Sequence, residues 1–285
     1  MRLSTRLKHA LNAALGAVNL KVETLTSDRA EAKRLNDYAR AVGFDVPVYA
    51  LSPGMAEFST AQLEGEYDRH RAALERLRDP LRNNTGYAPG NNYFESPDAE
   101  ILYLMMRRLE PRLVIEVGCG NSTRVARQAI LDGGLGTKIV AVDPQPRADI
   151  AHLVDRFEQA RLESLSRSDL FAGMGPGDIL FIDSSHEVRA GGDVAHLFGR
   201  VIPVLPPGVV IHIHDVFLPY EYPENFIRSY PSWGEQYVLH ALLGGGAFEI
   251  LWPGHYLQRA RPEARKGLPF LSLGKAQSFW IRKVR

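Results

Sequence analysis

The spacing of apolar residues along the 285-residue chain changes near position 90. Ahead of it the spacing is helical. Leu3, Leu7, Leu11, Leu15 and Val18 form one apolar stripe beside Arg2, Arg6 and Lys8 in an opening segment that contains no acid. A helix packed on its own domain or on a second copy of the chain is the first reading of this stripe; a membrane-surface helix or a transit peptide shares the pattern. A second helix is predicted from Ser27 or Asp28 as N-cap to a stop at Gly43. A third carries Leu63, Tyr67, His70, Leu74 and Leu77 on one face. The stretch 83–98, "NNTGYAPGNNYFESPD", loses all periodicity and has the Asn, Gly and Pro content of a loop. The boundary is therefore expected there, with a helical region over 1–90 and a second domain over 91–285.

Past the boundary, short β-rich runs alternate with helical stretches, the signature of a parallel sheet wrapped by helices. The runs are "RLVIEVG" (112–118), "TKIVAVD" (137–143), a weaker one near "ARLESL" (160–165), "DILFID" (178–183) and "GVVIHIHD" (208–215). Val194, Leu197, Phe198, Val201, Ile202 and Leu205 keep helical spacing between the last two. A further helix follows residue 233, and "AFEILWP" (247–253) and "QSFWIRK" (277–283) read as closing strands.

In such a sheet, ligands bind at the carboxyl ends of the strands, so the chemistry is sought there. After the first strand comes "EVGCGNSTRVA", a strand, a Gly-x-Gly turn and a helix. Gly118 and Gly120 would let a ligand approach the backbone, and Ser122 or Thr123 would cap the helix whose amides follow. Asp143 ends the second strand, 23 residues after Gly120, where a carboxylate accepts both hydroxyl protons of a ribose. Together these point to an adenosine-type cofactor. A dinucleotide fingerprint fits less well, because Thr123 stands where a third glycine is wanted and an acid, Glu116, precedes the glycines.

"E-V-G-C-G" resembles motif I of class I S-adenosylmethionine-dependent methyltransferases. From about Asn92 to Trp280 the order of elements is similar to that Rossmann-like α/β fold, a mostly parallel seven-stranded sheet whose last strand inserts antiparallel. The segments "YFESPDAEILYLMMRRLEPRLVIEVGCGNSTRVA", "GDILFIDSSHEV" and "PGVVIHIHDVFLPYEYPENF" resemble bacterial small-molecule methyltransferases often placed with sugar-modifying enzymes. The resemblance implies that 91–285 is the catalytic domain and that S-adenosyl-L-methionine is bound by Glu116, Gly118, Gly120, Ser122 and Asp143. Glu163 near the adenine, Asp183, and Tyr93 as a cover complete the expected cofactor site, with Asp169 a weaker candidate.

The layout of the last two strand ends is similar to metal-dependent O-methyltransferases. Carried over by position, Asp183, His214 and Asp215 would hold a divalent metal and His186 would be the general base. The family usually has an acid at the position of His214, and a histidine shifts preference from Mg²⁺ toward Mn²⁺, Fe²⁺ or Zn²⁺, or toward no metal. His212, two residues earlier on the same face, reads as a buried histidine with its hydrogen bonds satisfied. Tyr220, Glu221 and Tyr222 sit where acceptor-binding loops lie and would hydrogen-bond a polyol. Two rival readings stay open: a non-haem metal oxygenase built on His212, His214 and Asp215, and a non-catalytic scaffold that only binds cofactor.

Composition narrows the partners. With 45% apolar residues the chain can bury a full core, and 34 basic against 33 acidic residues leave a net charge of +1, which provides no footprint for bulk nucleic-acid binding. The single cysteine, Cys119, rules out an internal disulfide and multi-cysteine zinc sites. No apolar run reaches the roughly 18 residues of a spanning helix, and no secretory signal pattern is present. The expectation is a cytoplasmic enzyme acting on a small-molecule, sugar or glycosylated acceptor, with the N-terminal helices available for homo-oligomer contacts.

Overall fold

The computed structural model describes residues 5–18, 20, 22, 26–165 and 170–285. The chain divides into two compact units. The first comprises residues 1–43 and 223–231, and the second residues 44–222 and 232–285. Residues 44–90 thus belong with the sheet, whereas the sequence pattern had grouped them with the N-terminal helices. The helical periodicity there is real, but it reports a helix packed on the α/β core and not a separate region.

The first unit contains α1 (Thr5–Leu15), α2 (Thr26–Ala41) and α7 (Glu224–Ser229). Of the apolar stripe, Leu7, Leu11 and Val18 are exposed, and Leu3 lies outside the described residues. The α2 helix starts at Thr26 and ends at Ala41, just short of Gly43. Arg228 on α7 donates to Asn36 on α2.

In the second unit, α3 (Ala61–Leu77) buries Leu63, Leu74 and Leu77, the face its spacing predicts. The α4 helix (Asp98–Leu109) is buried from Asp98 through Met106 and stops where Glu110 takes a left-handed φ of 44°. The sheet follows. It comprises β1 (Leu113–Val117), β2 (Lys138–Val142), β3 (Arg156–Glu158), β4 (Ile179–Ile182), β5 (Val210–Ile213), β6 (Phe248–Pro253) and β7 (Phe279–Lys283), with α5 (Asn121–Gly133) between β1 and β2. The strand order is β3-β2-β1-β4-β5-β7-β6. The pairs up to β4–β5 are parallel, and β7 runs antiparallel to both β5 and β6. This is the Rossmann-like order and the inverted last strand that the resemblance implied.

Both central strands β4 and β5 are buried at every residue, which is why they read as near-continuous apolar runs and not as alternation. The helical run between them begins at α6 (Asp193–His196), continues through a wider turn at Leu197–Val201, and buries Val194, Leu197, Phe198, Val201, Ile202 and Leu205. The remaining helices are α8 (Glu235–Gly244), α9 (Gly254–Ala260) and α10 (Ala264–Gly267). No helix among the described residues is long and apolar enough to cross a membrane.

One strand lies elsewhere than predicted. The third was expected at 160–165; it forms at Arg156–Glu158, paired with Val140–Val142, while Leu162–Ser164 is a short 3₁₀ turn. The β3 strand is an edge of three residues whose two ends, Arg156 and Glu158, pair with each other at 2.5 Å. Backbone pairing holds such an edge and charge guards it, so apolar periodicity carries little signal there.

Near the far end of the sheet, His255 on α9 approaches the Ala276 carbonyl at 3.1 Å and meets Phe217 edge-on. Burial, with Arg259 and Lys275 nearby, pushes its imidazole from 6.5 down to about 4, despite the opposing Ala276 carbonyl. A histidine that protonates more readily in the unfolded chain contributes stability in full above pH 6.5. That contribution is lost as the pH falls toward 4. Urea unfolding should therefore show a loss of roughly 3 kcal/mol across that window from this residue, and His255→Gln should flatten the dependence.

Candidate active site

The β1 strand delivers Glu116 and the turn after it. Glu116 is buried, and its two carboxylate oxygens accept hydrogen bonds from the Ser122 and Thr123 hydroxyls, both at 2.6 Å. Burial pushes its carboxyl up to about 7, against the two hydroxyl bonds that favour the charge. The Thr123 hydroxyl also accepts from the Gly120 amide at 3.0 Å. This corrects two expectations about side chains: Glu116 and Ser122 face each other beneath the turn and brace its shape, so neither offers a polar atom outward in this arrangement.

The two glycines have different reasons to be glycine. Gly118 has φ +77°, and a Cβ there would run into the carbonyl oxygen of Asp183. It is small because the ends of β1 and β4 touch. A Cβ on Gly120 would meet nothing within 4 Å, so the open side of the turn is at Gly120. Asp143, half-buried at the end of β2, accepts from the Cys119 amide at 3.1 Å and the Gln145 amide at 2.7 Å. Two amide donors leave lone pairs of the carboxylate available. Tyr93 is 61% exposed, with the Arg147 guanidinium 5.1 Å from its ring centre, so it stands beside the loop that follows β2. Glu163 is half-buried in its 3₁₀ turn, 3.7 Å from Arg161. Asp169 lies outside the described residues.

At the ends of β4 and β5 the structure gathers a charged cluster. Ligand-capable atoms of Asp183, His186 and Asp215 all lie within 4.8 Å of one another. His186 Nε2 is 3.5 Å from an oxygen of each carboxylate, and its Nδ1 is 2.9 Å from Glu235 Oε2. His186 and Asp215 both adopt left-handed φ, 60° and 54°, to point inward. Gln277 steadies Asp215 through its side-chain amide, and its backbone N–H donates to buried Asp98 at 2.9 Å. Burial works against charge throughout the cluster. On Asp183 the positive His214 and the His186 hydrogen bond outweigh it and hold the carboxyl down to about 2. On His186 the hydrogen bonds to Asp183 and Glu235 outweigh burial and hold the imidazole well above its ordinary value.

His214 does not join this cluster. Strand alternation turns its ring toward Phe94, 5.1 Å away, while Asp215, one residue later, swings out through its left-handed φ. The two expected carboxylate ligands are together, and the nitrogen beside them is that of His186. His212 is fully buried as expected, but it is not satisfied: neither ring nitrogen has a hydrogen-bond partner among the described residues. Sheet register places it between Phe181 and Trp280, stacked on the first at 3.8 Å and 4.8 Å from the second. Burial drives its basicity well down and keeps it neutral. A facial triad of His212, His214 and Asp215 is therefore not formed, and the oxygenase reading loses its site.

The acceptor-loop residues are also placed differently from expectation. Tyr220, Glu221 and Tyr222 are all buried. Glu221 accepts from Tyr49 at 2.6 Å, Tyr237 at 2.7 Å and Gln236 at 3.2 Å, and the Tyr222 hydroxyl accepts from the Gln236 amide at 3.1 Å. Their polar atoms knit the loop to α8. Glu235, in contact with His186, was not singled out from the sequence. An acid in the first turn of a helix is too common to carry a signal.

Residues 115–216 match a family model described as a methyltransferase domain. The chain's strand order and glycine turn are those implied by the sequence resemblance. Among solved structures, an SAH-bound Podospora anserina methyltransferase, PaMTH1, is similar at 15% identity over 93% of this chain and 100% of that one, with a TM-score of 0.42. The O-methyltransferase TomG of Streptomyces achromogenes, involved in tomaymycin synthesis and solved with SAM, is similar at 15% identity over 99% of both chains, with a TM-score of 0.38. An O-methyltransferase from Bacillus cereus in complex with SAH is similar at 15% identity over 97% of both, with a TM-score of 0.36. No curated protein matches the chain in sequence.

Because His212 is buried without partners, replacing it with an apolar ring should cost little. His212→Phe is expected to stay within about 1 kcal/mol of the parent in stability and to keep its affinity for S-adenosylmethionine in calorimetry. A large loss of cofactor or metal binding would instead give His212 a ligand role.

Proposed function

We propose that this protein is a methyltransferase that moves the methyl group of S-adenosylmethionine to a hydroxyl oxygen of a small molecule, with His186 taking the hydroxyl proton. The observation that carries the reading is the cluster of Asp183, His186 and Asp215 at the β4 and β5 ends, with the Asp183 backbone packed directly on Gly118 of the glycine turn. A cofactor seated on the Gly120 side of that turn, its ribose on Asp143, would bring its sulfonium end toward the cluster. Glu116 and Ser122 would hold the turn in shape. Glu163 would lie at the adenine edge and Tyr93 over the cofactor.

Methyl transfer is an in-line displacement, so the protein must align the acceptor oxygen and remove its proton. The oxygen forms a bond to the methyl carbon, the sulfonium keeps the electron pair of the broken C–S bond, and the proton passes to Nε2 of unprotonated His186, a form that the raised basicity of this imidazole confines to higher pH. Asp183 and Asp215 then face the new imidazolium and stabilise it. A sugar or other polyhydroxylated acceptor is the class that the sequence resemblance favours. The buried Tyr220, Glu221 and Tyr222 would shape its loop from beneath.

A second reading is favoured by the donor set itself. Two carboxylates and one imidazole within 4.8 Å suit a divalent cation. Asp183 and Asp215 would hold it, with His186 as the nitrogen donor, and the ion would bind and acidify the acceptor hydroxyl.

His186→Ala should leave cofactor affinity near that of the parent while methyl transfer falls by a factor on the order of 10² to 10⁴. Full turnover by that variant would remove His186 from the chemistry. Asp143→Ala should abolish measurable S-adenosylmethionine binding in calorimetry, and unchanged affinity would refute the ribose assignment.

The two readings part on chelation. If His186 acts alone, dialysis against EDTA leaves the rate unchanged; if a cation takes part, the rate collapses and returns with added Mg²⁺ or Mn²⁺.

A further inference from the structure

Leu7, Leu11, Leu15 and Val18 follow one another at helical intervals and form a single stripe along α1 and the 3₁₀ turn Gly16–Val18 that ends it. The protein's own chain does not bury this stripe. Leu7, Leu11 and Val18, with Leu20 just beyond, are 39% to 64% exposed, and Leu15 is half-buried.

The chain turns back along a different side of the helix. The Leu20 amide donates to the Leu15 carbonyl at 3.0 Å, and the Asn12 side chain then takes up both backbone groups of Val22, accepting from its amide at 2.6 Å and donating to its carbonyl at 2.9 Å. Asn12 stands about 100° round the helix from Leu11. The returning segment is therefore pinned beside the stripe and not over it, which leaves a contiguous apolar patch of the kind that marks an interaction surface.

Charge distinguishes what the patch can meet. Arg2, Arg6, Lys8 and Lys21 all precede the first acid of the chain, Glu23. Over the next twenty residues Glu23, Asp28, Glu31 and Asp37 are matched by Arg29, Lys33, Arg34 and Arg40, so the positive excess is confined to the apolar segment. Positions 6 and 8 lie about 100° to either side of Leu7, flanking the stripe. A second copy of the chain fits this pattern poorly. Pairing the stripe with itself would line up the cations of both copies along one seam, with no acid in the segment to offset them.

We propose that α1 and the turn through Leu20 form a docking surface for an anionic lipid bilayer. The leucines and Val18 enter the boundary between headgroups and acyl chains, while the flanking Arg and Lys side chains lay their stems along it and bring their charges to the lipid phosphates. The contact is interfacial: the helix has 11 residues and lies in the plane of the membrane without spanning it.

The test sediments the full-length protein with vesicles of phosphatidylcholine alone and of equal parts phosphatidylcholine and phosphatidylglycerol. Binding is expected to the mixed vesicles and not to phosphatidylcholine alone, and about 1 M salt, where the screening length falls to ~3 Å, should weaken it at least tenfold. Arg6→Gln with Lys8→Gln should lower the affinity about fivefold per cation, roughly 25-fold together. Leu7→Gln with Leu11→Gln should lower it about tenfold or more. Circular dichroism checks that each variant folds, and if one does not, the other decides.

A parent protein that ignores the mixed vesicles, or binds both kinds equally, overturns the proposal. So does either folded double variant that binds within about twofold of the parent. Sedimentation velocity supplies the remaining outcome: a dimer that Leu7→Gln with Leu11→Gln dissociates, in a protein that leaves vesicles unbound, would assign the stripe to a second copy of the chain instead.

Discussion

The contact between Gly118 and the Asp183 carbonyl organises the site. Parallel pairing continues just past the strand ends: the Gly118 amide donates to the Val142 carbonyl, the Asp183 amide to Val117 and the His214 amide to Ile182, each at 2.9 Å. The carboxyl ends of β2, β1, β4 and β5 are thereby fixed side by side. Only a residue without a Cβ lets β1 and β4 end this close together. The glycine turn, Asp143 and the Asp183–His186–Asp215 cluster all take their positions from these three hydrogen bonds.

Charge placement follows from that geometry. Three carboxylates, Asp183, Asp215 and Glu235, surround one imidazole in a largely buried space. Such an arrangement is costly unless a proton or a cation resides in it. The same region holds His212 and His214 just beneath, one neutral between aromatic rings and one whose basicity is raised, against burial, by Asp183, Asp215 and Asp98. Residues adjacent in "HIHD" therefore serve different environments: the strand pleat buries the two rings and the left-handed Asp215 releases its carboxylate.

Much of this was legible beforehand. The central strands, the glycine turn, Asp143 and the pairing of Asp183 with His186 could be read from apolar runs and from residues at strand ends, because burial on both faces and close backbone approach restrict which residues fit. The edge strand at Arg156–Glu158 was misplaced, since an edge is held by backbone pairing and little by apolar side chains. Glu116, Ser122, Glu221 and Tyr222 looked like ligand contacts because polar residues near a strand end resemble one another in sequence; in the structure they bond inward.

The sequence by itself determined the fold class and the strand ends at which the candidate site lies. These are properties of local periodicity and of short contiguous motifs. Only the tertiary structure decided which histidine meets the carboxylates and that Glu235, 49 residues from His186, completes its surroundings. The reason is physical: a side chain's partners across a sheet are set by register, pleat and single backbone angles such as those at His186 and Asp215, and none of these is encoded by residue spacing alone.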